Sequence, residues 1–533
     1  MKTKQIYDVL IIGAGHNGLT CAGYLARKGL SVKVVERRNI VGGAAVTQEF
    51  HPGFRNTTCS YVLSMLAPKI IEELELVKYG LHIFQDEHPM LALSSNNDYL
   101  FLNDDYDAVD KALAEMHPDN IEGFEKMSEI LEQVADVLRD IAMETPANLG
   151  GGLMDLWRAG KLGNRMRKLS PELQAEMYRL FTMNIRDYLN RFIKGDMIQA
   201  VEAWASQVGN FQSVKAGGTA YVLLHHMFGI VNGNKGDWAI VKGGMGGVTQ
   251  AMAKSAEAFG ADIEVNAPVA NVIIENGKAV GVRLEDGREF RSKAVAANVH
   301  PQLLFKRLVA DEHVPASFKT DIDNYRSNSG TFRMNVALNE LPKFTALKDV
   351  PEDEYPSYLQ GSQLFADSLD YYENAYQDAE KYGWARKPVI NSGIPSILDD
   401  SLAPKGKHVM SLFCQHFKKE LPDGRSWDEA REEVAEHIID FVNTIAPNFK
   451  EAVVGYMALS PLDLEREYGL IGGDIFHGSI QPDQLYTMRP APGYADYRMP
   501  VKGLYLCGSG AHPGGGVSGY PGHNAAREII KDL

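Results

Sequence analysis

Residues 6–12 form a short run rich in β-branched side chains, the pattern of a strand buried on both faces. Gly13-Ala14-Gly15-His16-Asn17-Gly18 interrupts it. Residues 19–28 then carry apolar positions at helical spacing up to Gly29, where a helix would stop. Residues 31–35 predict a second strand that ends at Glu36. A strand, a glycine cluster and a helix recur at 238–241, 243–247 and 248–259. Four more strands are predicted at 262–265, 269–275, 279–285 and 289–297, with Asn276-Gly277 and Asp286-Gly287 as hairpin turns joining the last three. Residues 501–506 predict a final strand, followed by a glycine-rich loop and a helix running through Arg527 to Ile530. Helical periodicity and charge spacing mark 120–144 and 427–445.

The first of these units has the parts of a dinucleotide site in register. Gly13 permits the tight turn, Gly15 lets the backbone approach a diphosphate, and Gly18 lets helix and strand pack closely. Ala14 and Asn17 lie in the same loop, where the helix N-terminus offers free amides and a positive dipole end. Glu36, followed by Arg37, stands where a carboxylate accepts the ribose hydroxyls, and its charge disfavours the 2′-phosphate of NADP. The second glycine cluster, 243–247, reads as a close-packing turn. The strand after its helix ends in Asn266-Ala267, so it has no carboxylate for a ribose.

Composition narrows the class. A chain of 533 residues, 45% hydrophobic and 23% charged, is an ordinary globular protein of several lobes. Its net charge of −15, from 54 basic and 69 acidic residues, argues against nucleic acid as a partner. Cys21, Cys59, Cys414 and Cys507 form no C-x-x-C pair, which excludes a locally built dithiol centre or zinc knuckle. No metal-ligating constellation or activated serine or cysteine nucleophile stands out. No apolar run is long enough for a membrane span, and the reading is a cytoplasmic protein.

Gly42-Gly43-Ala44, just after the ribose carboxylate, resembles the second signature of FAD enzymes in the amine oxidase and phytoene desaturase superfamily. The loop Cys507-Gly508-Ser509-Gly510-Ala511-His512-Pro513-Gly514-Gly515-Gly516-Val517 is dense in amides that a polarised ring system would need. With residues 218–226, 472–478 and 488–490, it makes nearly the whole chain resemble the phytoene-dehydrogenase-related FAD oxidoreductases. That resemblance implies an α/β fold: a Rossmann-type FAD-binding domain with a three-stranded β-meander, split in sequence, and an inserted α+β substrate-binding lobe. The FAD segments would be 1–100, 238–300 and 461–533, and the substrate lobe 101–237 and 301–460. FAD contacts are implied at Gly42, Gly43, Ala44, Val269, Gly508, Ser509, Gly516 and Val517. Two positions depart from the family: Ala44 stands where an arginine is frequent, and Ser509 stands near the place of an acidic residue that holds the ribityl chain.

The implied chemistry is dehydrogenation or desaturation of a hydrophobic substrate, of isoprenoid or polyene type, with oxygen or a quinone as electron acceptor. An oxygen-using amine or alcohol oxidase and an FAD-bearing regulatory partner without turnover are the alternatives. His225, His226, His477 and His512, with Tyr221 behind them, are the candidates to line the reacting centre. His225 and His226 are adjacent, so at most one should face a cavity. Arg489 is either a carboxylate or flavin-carbonyl ligand or a loop anchor. Between Arg158 and Lys194 nine basic residues face three acidic ones, interleaved with apolar side chains. The stretch is either a peripheral membrane face or a core-packed helix pair with a solvated basic rim.

Overall fold

Strand β1 (Ile6–Ile12), helix α1 (His16–Arg27) and strand β2 (Val32–Val35) open the protein as a βαβ unit; the computed structural model describes residues 6–85, 89–103 and 105–533. The chain then leaves for a second sheet through β3 (Met90–Leu93) and β4 (Tyr99–Leu102). It continues into a helical lobe of α2 (Asn120–Ala142), α3 (Leu153–Arg167), α4 (Pro171–Thr182), α5 (Asp196–Gln207) and α6 (Thr219–His226). It returns to the first sheet through α7 (Met245–Ala258), β5 (Asp262–Glu264), β6 (Val269–Glu275), β7 (Lys278–Leu284) and β8 (Glu289–Ala297). The second excursion carries β9 (Thr331–Leu338), β10 (Ser362–Phe365), β11 (Trp384–Gly393), β12 (His408–Phe417), α8 (Trp427–Ile445) and β13 (Val453–Leu459). Strand β14 (Leu504–Leu506) and helix α9 (Tyr520–Asp532) bring it back.

The first sheet has seven strands in the order β6-β7-β8-β1-β2-β5, with β14 also on β8. Pairing is parallel from β14 and β8 through β1 and β2 to β5, and antiparallel within the β6-β7-β8 meander. Val9 to Ile11 are fully buried because α1, α7 and α9 cover them, as a parallel sheet requires. Gly522 lets α9 cross α1 at backbone distance, since a Cβ there would meet the Asn17 carbonyl oxygen at 2.1 Å.

The second sheet also has seven strands, in the order β13-β9-β12-β11-β10-β3-β4. One face packs on α8, with Phe332, Met334, Val336, Leu412 and Cys414 against Val434, Ile438 and Val442. The opposite face supplies Ala92, Leu364, Val389 and Phe413 to the core of the helical lobe. This is the Rossmann-type split domain with meander and an inserted α+β lobe. Two local expectations differ. Residues 90–102, placed with the first FAD segment up to residue 100, belong to the second sheet, because β3 pairs in parallel with β10. Residues 238–241 form no strand; they make isolated bridges from Ala239 to Leu63 and from Val241 to Ile83.

Phe332 is fully buried, with ring centres 5.1 Å from Phe417 and 5.7 Å from Trp427. Phe332→Ala should cost roughly 3–5 kcal/mol. Thermal melts should show the drop while purified protein at low temperature keeps its cofactor; an unchanged midpoint would refute this account of the α8 face.

Candidate active site

The N-terminus of α1 has no side-chain cap and no acidic residue in its first turn, so its amides need an acceptor from outside the chain. Gly18 sits where a Cβ would lie 2.2 Å from the Gly13 carbonyl oxygen, and Asn298 donates from Nδ2 to that same oxygen at 3.3 Å. Gly42 donates to the Ala14 carbonyl at 2.8 Å, laying the second glycine pair beside the first loop. Glu36 accepts the Ala14 amide at one carboxylate oxygen and the Arg38 amide at the other, 2.8 and 3.0 Å. Each oxygen keeps a lone pair for a hydroxyl.

These groups open onto a cavity of about 460 Å³ walled by Gly13, Gly15, Glu36, Arg37, Gly43, Ala44, Val269 and Ser509. Arg38, Arg307 and Asn298 line it too. A second cavity, about 120 Å³, is mainly apolar: Tyr61, Val208, Trp238, Phe413, Phe476 and Val517, with His226 and Gly516. His16, Ala44, His477 and Ser509 line both, so the two spaces meet there. Asn17 ties the N-terminal loop to the C-terminal one by donating to Ser509 Oγ at 3.1 Å, and Gly508 abuts Asn298.

An uncapped helix end, glycines that only backbone can follow, a ribose-height carboxylate and a long cavity fit FAD. Glu36 would hold the adenosine ribose. The α1 amides and the Gly42–Gly43 backbone would hold the diphosphate, with Val269 at the adenine end. His16, Ala44, His477 and Ser509 would surround the ring. The amides of Gly243, Met245 and Gly246 are taken by Asp399, Thr57 and Thr47, which leaves that glycine cluster no phosphate site.

The histidine candidates divide. His226 and His477 line the second cavity. His225 lines neither cavity: it is fully buried and donates from Nε2 to the Gly515 carbonyl at 3.0 Å, so it braces the loop. His512 likewise donates to the Ile141 carbonyl. Tyr221 and His512 face a third, apolar cavity of about 210 Å³ with Leu162, Met166 and Phe181. Sequence patterning named all five as candidates and required that at most one of His225 and His226 face a cavity, as is found; it carries no information on which side of a loop the other rings fall. His16 lines both main cavities and is missing from that set, although it sits inside the glycine motif. Asn298 follows β8 without any motif of its own.

Arg489 is a loop anchor: it is wholly buried and donates to the carbonyls of Phe476, Ser479, Gln484 and Ser509. Burial holds His16, His226 and His512 down to about 4, and His225 and His477 to about 3. The Arg489 charge adds to this at His225, His477 and His512. All five rings are therefore neutral near pH 7.

The profile of flavin-containing amine oxidoreductases matches residues 18–332. A rat relative, pyridine nucleotide-disulfide oxidoreductase domain-containing protein 2, is 38% identical over 99% of this chain and 94% of its own. A limonene dehydrogenase polypeptide of Castellaniella defragrans is 24% identical over 99% of this chain and 95% of its own. Among solved structures, putrescine oxidase bound to putrescine superposes with a TM-score of 0.62 at 17% identity, covering 99% of both chains. The fold is thus that of flavin oxidases. The four cysteines are buried free thiols, and contact with Cys507 together with burial holds the Cys21 thiol well above its ordinary range.

Gly18→Ala should reduce bound flavin to background, and Glu36→Ala should weaken FAD by about 10- to 100-fold, the worth of one or two charge-assisted hydrogen bonds. Flavin fluorescence after dialysis measures both, and full retention by either variant would remove FAD from this cavity. The buried rings also set a dependence on pH. An imidazole near 6.5 when unfolded and at 3–4 when folded binds more protons unfolded, so its stability contribution is whole above pH 6.5 and is lost on acidification. Each such group contributes up to about 1.4 kcal/mol per pH unit. Asp474 and Glu202, raised by burial to about 6 and 7, oppose this. The five rings outweigh them, so the melting temperature should fall between pH 7.5 and 5; a flat or rising curve would mean that these rings are not buried neutral.

Proposed function

The chain belongs to the flavin-containing amine oxidoreductase family, and on that footing we propose that it dehydrogenates a hydrophobic substrate held in the second cavity. It is an FAD-dependent oxidoreductase; when bound, FAD accepts a hydride equivalent. The observation that carries the substrate reading is the wall of that cavity. Tyr61, Val208, Trp238, Phe413, Phe476 and Val517 surround the space that meets the FAD cavity at His16, Ala44, His477 and Ser509. No carboxylate lines it among the described residues, so nothing there would pair with an ammonium. His477, whose Nδ1 has no partner among the described residues, would orient a bound molecule by hydrogen bonding, while His226, held by the Val222 carbonyl, lines the wall; both are neutral by burial and keep charge away from the C–H bond. The apolar wall excludes water from that bond. Oxygen or a quinone would reoxidise the protein.

Anaerobic titration of the holoprotein tests this reading. Polyenes or terpenoid alkenes, with or without a terminal polar group, should bleach the visible flavin band while primary amines do not. Bleaching by amines with fast reoxidation in air would favour the amine oxidase reading. Flavin reduced by no organic substrate would favour a regulatory role.

We further propose that the substrate arrives from a lipid surface through the helical lobe. Helix α3 has no buried residue; Leu153 is 86% and Trp157 63% exposed, and Leu149, Met154 and Leu156 are also exposed. Its opposite side gives Leu162 and Met166 to the third cavity, which reaches Tyr221, His512 and Pro513. Of the nine basic residues between 158 and 194, seven pair with carboxylates among the described residues, leaving Arg167 and Lys168 at the end of α3. Apolar insertion, rather than charge, therefore carries the contact. The holoprotein should float with phosphatidylcholine vesicles containing a small fraction of phosphatidylserine, and still do so at about 0.15 M salt. The double variant Leu153→Glu, Trp157→Glu should not. Absence of wild-type flotation, or burial of this face in a dimer by light scattering, would overturn the proposal.

A further inference from the structure

Strand β9 alternates polar and apolar residues, Thr331-Phe332-Arg333-Met334-Asn335-Val336, yet every one of its residues is buried. Such alternation belongs to a sheet with one face in water. Here the apolar face packs on α8, and the polar face looks toward the substrate side with Phe413 and Leu364. Most polar groups on that face are matched. Thr331 donates to Gln415 Oε1 at 2.9 Å, and Asn335 donates to the Thr57 carbonyl and accepts from Asn56.

Arg333 is the exception. It is 1% exposed and makes one hydrogen bond, from Nη2 to Ser411 Oγ at 2.7 Å; Nε and Nη1 have no partner. Its guanidinium carbon lies 5.1 Å from the Tyr61 ring centre and 5.4 Å from that of Phe413, two walls of the second cavity. No carboxylate among the described residues pairs with it. The nearby ionisable groups are Tyr61, Cys59 and Cys414, and burial pushes the Cys59 thiol to about 12 and the other two higher, so none supplies a negative charge. In register across the sheet, Arg333 stands opposite Phe413 and Phe413 opposite Asn391. Asn391 accepts the Tyr61 hydroxyl at Oδ1, 2.9 Å, and leaves Nδ2 unpaired. The unpaired atoms of Arg333 and Asn391 are thus all N–H donors, and what is missing is an acceptor. Arg489, equally buried, shows the contrast, since all three of its nitrogens reach carbonyls.

Resting on the reading of the second cavity as the substrate site, we propose that Arg333 anchors a carboxylate at one end of the substrate, so that the molecule oxidised is a hydrophobic acid. A planar guanidinium with two open N–H groups matches a carboxylate, whereas a hydrocarbon or an ester offers no charge to meet it. The Tyr61 and Phe413 rings cover the guanidinium in the structure, so the acid group reaches it by displacing them.

The test titrates flavin-loaded protein with decanoate, methyl decanoate and decanol, reading the perturbation of the visible flavin bands. Decanoate should bind about 30-fold more tightly than the ester, as a charge-assisted pair provides. Arg333→Gln should bring the acid to the affinity of the ester while moving the ester itself less than about threefold, and Arg333→Lys should restore part of the preference. Equal binding of acid and ester to the wild type would overturn the proposal, as would an equal loss of both in the variant. Acetate or chloride acting at the same concentrations as decanoate would identify a free-anion site and also overturn it. Should Arg333→Gln not fold, the wild-type acid-to-ester ratio and Arg333→Lys decide the matter. A preparation without flavin bands would break the preceding functional reading, whereas flavin-loaded protein with no acid preference breaks this proposal alone.

Discussion

One buried cation organises the centre of the protein. Arg489 brings a full positive charge into the interior and meets only carbonyl oxygens, from Phe476, Ser479, Gln484 and Ser509. Leaving such a group unpaired is costly, so these hydrogen bonds hold the two segments that supply the carbonyls in place. Those segments also supply Phe476, His477 and Ser509 to the cavities, which makes the junction between the two spaces a consequence of satisfying one guanidinium. The same charge opposes protonation of His225, His477 and His512, and so helps determine the chemistry of the site.

The two sheets divide the remaining work. The first, packed against α1, α7 and α9, presents the ends of β1 and β2 as a cofactor cradle, the usual place for a ligand at the carboxyl ends of parallel strands. The second is closed by α8 on one face only. Its other face packs on the helical lobe, which keeps Arg333, Asn335 and Asn391 from water on the side proposed for the substrate. The helical lobe completes the enclosure and leaves α3 uncovered.

Much of this was legible along the chain. The meander with its two hairpin turns and α8 follow from local periodicity and turn residues, because those elements satisfy most of their hydrogen bonds with near neighbours, and β1 follows from its run of β-branched side chains ending at a glycine turn. Gly13, Gly15 and Glu36 line one cavity, as motif spacing suggested, together with Gly43, Ala44, Val269 and Ser509, which the family resemblance implied. Less legible were the residues that act across long separations. His16 opens α1 and Asn298 follows β8, far apart in sequence yet both on the cavity, and Arg333 needed the burial of β9 before its alternation meant anything. His225, His512 and Tyr221 carried the same apparent signal as His226 and His477, yet lie outside the main cavities.

Sequence alone determined the cofactor half. A strand, a glycine turn, a helix and a carboxylate follow one another without interruption from Ile6 to Glu36, so local backbone geometry dictates how they meet. Only the tertiary structure decided the second cavity. Its walls come from residues as far apart as Tyr61, Val208, Phe413 and Val517. Which face of a strand or loop looks inward there depends on what packs behind it, and no local pattern encodes that.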